Sequence, residues 1–119
     1  ESEYAYKRAA ELARDNLQIN KEDWHTRAIL GLYLVYLGEQ TKGVKLLDTA
    51  IEQSGRNPEI LYFKALAVLQ EGDPEMAITL LQEAVTLEQY YRQFIALDPD
   101  LKRLQNDLRF MSLMPIAKK

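Results

Sequence analysis

A chain of 119 residues suits one domain, large enough to bury a core and too small to house two. With 47% apolar and 28% charged residues its composition is that of an ordinary soluble globular protein, and the absence of cysteine excludes disulfides and thiolate chemistry. The net charge of −3 argues against nucleic acid as a partner, since a polyanionic backbone is held by clustered Lys and Arg, and here only Lys118 and Lys119 pair at an end.

Helical patterning begins at once, over residues 3–19, with no Met, basic stretch or signal-peptide core before it, so the sequence reads as a piece of a longer protein. A second helix is expected over 21–37, opened by Asn20 and Asp23. It carries the longest uncharged apolar run, Ala28 to Gly38. That run is well short of the roughly 20 residues needed to cross a bilayer, so it reads as a buried helix with no direct membrane insertion. A third helix is expected over 40–54. The fourth (58–71) and fifth (74–90) each open on an Asx residue followed by proline, Asn57–Pro58 and Asp73–Pro74. The Asx side chain caps free N–H groups, and proline fits the first helical position, where its missing N–H removes no bond. Asp98–Pro99 repeats the device within shorter helical pieces from 91 to 114, ending at Pro115. No strand is visible.

Shifting the sequence by 34 positions lays Gly31 on Ala65, Leu32 on Leu66, Leu34 on Val68 and Gly38 on Gly72. It continues with Gly43 on Ala77, Val44 on Ile78, Leu46–Leu47 on Leu80–Leu81, Ala50 on Ala84 and Ile51 on Val85. This period with helical patterning is that of a helix–turn–helix solenoid. Antiparallel helices approach closely only where side chains nearly vanish, so the small pairs Gly31/Ala65, Gly43/Ala77 and Ala50/Ala84 are the expected crossing points. Shifted backwards, Ala9 falls on Gly43 and Ala13 on Leu47, which makes the first helix the second half of an earlier pair.

On these residues the chain resembles the tetratricopeptide repeat (TPR) family, whose pattern wants small residues at these three positions. It departs from that pattern at Arg27, where Trp is frequent, at Lys64 in place of Leu, at Leu34 and Val68 in place of Tyr, and at Gly55 and Gln89 in place of the closing Pro. The resemblance implies an all-α, TPR-type solenoid of antiparallel helix pairs in a single domain spanning 1–119. Residues 1–20 would be the second helix of a truncated repeat, 24–57 and 58–91 two repeats, and 92–115 a C-terminal cap. The tail residues Asp98, Pro99, Asp100, Leu101, Leu104, Asp107, Arg109, Phe110 and Leu113 are similar to the segment closing TPR arrays in bacterial Ser/Thr kinases, adenylate cyclases and winged-helix regulators. The last unit of a solenoid exposes an apolar face that needs a cap, and Leu97, Leu101, Leu104, Leu108 and Met111 recur at helical spacing to supply it.

The sequence holds little material for chemistry. A nucleophile needs an oriented base beside it, and the one histidine, His25, sits beside Trp24 at a helix start with the character of a surface or groove residue. Metal sites need several converging ligands. Asp98 and Asp100 flank a proline where carboxylates serve as caps. Neither an enzyme nor a cofactor is expected.

In TPR proteins the first helix of each pair lines a concave binding face. Carried over, the resemblance implies a face of His25, Ala28, Ile29, Leu32, Val35 and Tyr36 from one repeat, and Glu59, Tyr62, Phe63, Leu66, Leu69 and Gln70 from the next. Such a face is apolar and aromatic, and Leu32, Leu66 and Leu69 could equally be core. It lacks the Lys, Asn and Arg that grip the C-terminal tails of Hsp70 and Hsp90, so those partners are not expected. The expected function is a protein–protein interaction module, the C-terminal domain of a bacterial signalling protein. It would bind a protein or peptide segment, or another domain of the same protein. A homodimerisation module and a secretion-type TPR chaperone are the alternatives. The signalling context favours the cytoplasm, or the periplasm if the parent protein has a transmembrane helix.

Overall fold

A computed structural model describes residues 2–115; the Lys118–Lys119 pair lies outside them. Among the described residues the backbone is all-helical: α1 (Glu3–Ile19), α2 (Trp24–Tyr36), α3 (Gln40–Gln53), α4 (Pro58–Gln70), α5 (Pro74–Leu87), α6 (Tyr91–Leu97), a 3-10 turn (Pro99–Leu104) and α7 (Leu108–Met111). None of these helices is long and apolar enough to cross a membrane.

The helix ends follow from side-chain chemistry. Asn57 Oδ1 accepts from Glu59 N–H at 2.9 Å, Asp73 Oδ1 from Met76 N–H at 3.0 Å, and Asp98 Oδ1 from Asp100 N–H at 2.9 Å, so all three Asx-Pro pairs cap as expected. The second helix opens later than expected, at Trp24. Asp23 is its cap, accepting from Thr26 N–H at 3.0 Å and Thr26 Oγ1 at 2.6 Å. Asn20 instead closes a turn by accepting from Glu22 N–H. The fifth helix stops at Leu87 rather than 90, because Glu88 has extended backbone.

The repeat is also written in the backbone. At the end of α2, Gly38 turns left-handed (φ 92°), its N–H reaches Val35 O and the next N–H, of Glu39, reaches Leu34 O at 2.8 Å. At the end of α4, Gly72 does the same (φ 88°), with Gly72 N–H on Leu69 O and Asp73 N–H on Val68 O at 2.9 Å. Both are glycine-terminated C-caps that satisfy the last carbonyls.

α2 and α3 form one helical hairpin and α4 and α5 a second. α2 and α3 both pack against α4, and α1 lies against α2. At the first hairpin's crossing, a Cβ on Gly43 would stand 2.5 Å from Gly31 O and 2.9 Å from Val35 N. At the second, Ala65 and Ala77 are fully buried. The main core runs through both hairpins around Leu47, Ile60, Leu61, Ile78 and Leu81, and a smaller cluster of Ala10, Ala13, Leu30 and Leu34 joins α1 to α2. The molecule is elongated, 49 × 28 × 22 Å.

The tail caps the core with different residues from those expected. Leu101 and Leu104 are buried, but Leu97 and Leu108 are 82% and 80% exposed and Met111 is also exposed; Phe110 and Leu113 are buried instead. The cause is geometric. The Asp98–Pro99 break, the tight 3-10 turn and the Asp107 cap interrupt a single 3.6-residue period, so one helical stripe cannot run through the segment. At the surface Arg109 meets α5, with paired hydrogen bonds to the Glu75 carboxylate at 2.6 and 2.7 Å and two more to Asp107 at 3.2 and 2.9 Å.

Candidate functional site

The twelve residues expected on the concave face lie on the neighbouring helices α2 (His25, Ala28, Ile29, Leu32, Val35, Tyr36) and α4 (Glu59, Tyr62, Phe63, Leu66, Leu69, Gln70), but not in one environment, and Ala28, Val35 and Leu69 are buried in the core. Leu32 and Tyr62 are buried in the main core, with Tyr36, Phe63 and Leu66 half-buried against it. Ile29 packs with the α1 cluster. Gln70 is exposed. His25 Nε2 faces Glu59 Oε1 at 3.2 Å, its ring 6.0 Å from that of Phe63.

The chain's own tail divides this surface. Tyr62 Oη donates to Asp98 Oδ2 at 2.5 Å, Leu101 is fully buried, and Arg103 Nη1 reaches Leu69 O. Only a crevice of about 90 Å³ is left between the turn residues Asp100 and Arg103 and the side chains of Tyr6, Tyr36, Leu66, Leu69 and Gln70. The half of the face around Tyr36 is therefore closed by α1 on one side and the 3-10 turn on the other.

The other half is open. Glu59, Tyr62 and Phe63 of α4 and Tyr91, Phe94 and Leu97 of α6, with Asp98, line a cleft of about 400 Å³. The Tyr62 and Tyr91 rings lie 5.9 Å apart and those of Tyr91 and Phe94 5.5 Å apart, both tilted. Phe94 is 46% exposed, so the cleft has an apolar aromatic wall facing water. Sequence reasoning missed the α6 wall. The signal available was the aromatic run Tyr90, Tyr91 and Phe94, placed where the repeat breaks.

Electrostatics around the cleft have one sign. Burial raises the Tyr62 hydroxyl well above the usual tyrosine range, and the hydrogen bond to Asp98 and the charges of Asp98 and Asp100 raise it further. Tyr91 is raised by burial and then by Glu59 and Glu88. Tyr36 is raised by burial, then by Asp100, Tyr6 and Asp98. No Lys or Arg lines the cleft.

Tyr62→Phe tests this arrangement. A hydrogen bond to a charged group contributes about 1.5–3 kcal/mol, and water can partly replace the donor at half-exposed Asp98, so a loss of about 1.5 kcal/mol is expected at pH 7. Because the folded-state pKa is raised, the unfolded chain releases the proton first. The contribution of Tyr62 is thus complete below pH ~10, the unfolded tyrosine value, and is lost as pH rises towards the higher folded value. Urea unfolding from pH 8 to 11 should show a shallower alkaline decline in the variant, by one proton. Identical slopes would refute the buried, carboxylate-facing Tyr62.

A larger concavity of about 550 Å³ along α3 is lined mainly by solvated polar side chains such as Gln40, Lys45, Asp48 and Glu52, with no convergent arrangement. Among the described residues no three His, Cys, Asp or Glu side chains come together as a metal site. Comparisons with family models, with curated proteins and with solved structures return no match.

Proposed function

We propose that this chain is a non-catalytic protein–protein interaction module of the TPR type, the C-terminal domain of a larger bacterial signalling protein. It binds a protein or peptide segment at the aromatic cleft between α4 and α6. The observation that carries the reading is that cleft: about 400 Å³, open, walled by Tyr91 and Phe94, in a helical scaffold whose remaining apolar side chains mostly pack inward. Aromatic side chains dominate interface energetics, and an open apolar site of this kind suits a docked segment. The TPR reading rests on the 34-residue recurrence of small residues and on the matching glycine caps at Gly38 and Gly72.

The test is capture from a lysate of the source organism, comparing the wild type with a Phe94→Ser, Leu97→Ser double variant of confirmed helicity. Both residues are exposed, so the fold should survive. A partner retained by the wild type, lost by the variant and cross-linked to α6 is the expected result. Capture that is indifferent to the two substitutions moves the binding site elsewhere.

A further inference from the structure

Resting on that reading, we infer that the α4–α6 cleft takes a cationic side chain, the guanidinium of an arginine carried by the partner segment. Three features of the cleft converge on this chemistry.

First, its walls are aromatic. Tyr62, Phe63, Tyr91 and Phe94 present ring surfaces whose negative faces attract a cation, and guanidinium stacks on them as a plane. Second, two carboxylates, Glu59 and Asp98, lie in the same lining, and Glu88 and Asp100 act on its tyrosines from just outside. Third, two arginines on the elements beside the cleft are engaged elsewhere. Arg92 spends its guanidinium on Gln89 Oε1 and on the carbonyls of Ser112 and Met114, and Arg103 reaches Leu69 O. The His25 imidazole faces Glu59 and leaves that carboxylate 43% exposed.

A purely apolar occupant would strip water from Glu59 and Asp98 and add no donor to the His25 imidazole, the Tyr62 hydroxyl and the Asp100 N–H that they already face, and desolvating a carboxylate is costly. An arginine offsets that cost with paired N–H donors to Glu59 while its plane lies on Tyr91 or Phe94. Lysine carries the same charge on a compact, strongly hydrated ammonium, which neither stacks nor pairs in this way. An acidic segment is repelled.

The test titrates acetyl-Gly-Arg-Gly-amide, and its Leu, Lys and Glu counterparts, into the protein while following the Tyr91 and Phe94 ring resonances by NMR. The arginine peptide should bind at least about fivefold tighter than the leucine and lysine peptides, with the glutamate peptide showing no shift. Glu59→Gln and Phe94→Ala should each weaken it several-fold, with Tyr6 and Tyr33 resonances unchanged as the control for folding. Equal or tighter binding of the leucine or lysine peptide overturns the arginine assignment, as does arginine binding that neither substitution alters. The two readings fail separately. Cleft-dependent capture of a partner alongside a preference for leucine leaves the interaction module standing, whereas arginine binding without any captured partner removes the module and keeps the site.

Discussion

Gly43→Ala should lower stability by about 2 kcal/mol, although helix propensity alone predicts that replacing a mid-helix glycine by alanine raises it by about 1 kcal/mol. The sign is decided by what the new methyl meets. Its carbon would stand 2.5 Å from Gly31 O, 2.6 Å from Val35 Cγ2 and 2.9 Å from Val35 N. Two of these three neighbours are backbone atoms of α2, so no rotamer change relieves the overlap and the hairpin itself must open. Overpacking of this kind costs about 1–3 kcal/mol, and with backbone on the receiving side the upper end applies. The reverse exchange, Ala77→Gly at the matching position of the next hairpin, should also destabilise, by about 1.5–2 kcal/mol. It loses both the helix preference and a buried methyl. The same pair of residues thus cannot be swapped in either direction. Urea unfolding of the two variants checks this, and a Gly43→Ala protein more stable than wild type would mean that α2 and α3 do not touch at Gly31 and Gly43.

Those glycines also show what was legible in the sequence. Small residues recurring at an offset of 34, Asx-Pro starts and glycine stops are local signals, each with one physical reading, and they placed five helices within about three residues of their ends. Two departures from the TPR pattern, Lys64 and Arg27, form polar links. Lys64 pairs with Asp48 on α3 at 2.5 Å, and Arg27 donates to Gln53 Oε1 on α3 and to Lys21 O. The tail was less legible because its period is broken by a 3-10 turn, which rotates successive side chains differently from an α-helix. For the same reason the open cleft was only half foreseen. Glu59, Tyr62 and Phe63 sit on a periodic helix, but their counterparts Tyr91 and Phe94 belong to a seven-residue helix that no repeat positions. That the tail covers Tyr36 and Leu66 depends on long-range packing, which no local pattern encodes.

Leu101→Ala should cost about 3 kcal/mol, in the middle of the range for truncating a fully buried leucine. Leu101 is the residue through which the 3-10 turn enters the main core, three positions after Asp98 takes the Tyr62 hydroxyl. By contrast Arg109, although doubly bonded to Glu75, is exposed at the surface, where ion pairs contribute little and are screened by salt. The two variants should therefore separate, with Leu101→Ala lowering the urea midpoint strongly and Arg109→Ala hardly moving it. Hydrogen exchange adds the local view. In Leu101→Ala the amides of Leu104 and Phe110 should exchange well before those of Ile60 and Ile78, because the tail detaches as a unit while the hairpins persist. Detachment removes Asp98 from Tyr62 and loosens the α6 wall that carries Tyr91 and Phe94, so binding of the arginine peptide should fall with the folded fraction of the tail. A loss under about 1 kcal/mol, below the usual range for burying a leucine, would show the tail to be an appendage. A loss near 3 kcal/mol that leaves peptide affinity intact would show instead that α6 holds its place without the turn that follows it.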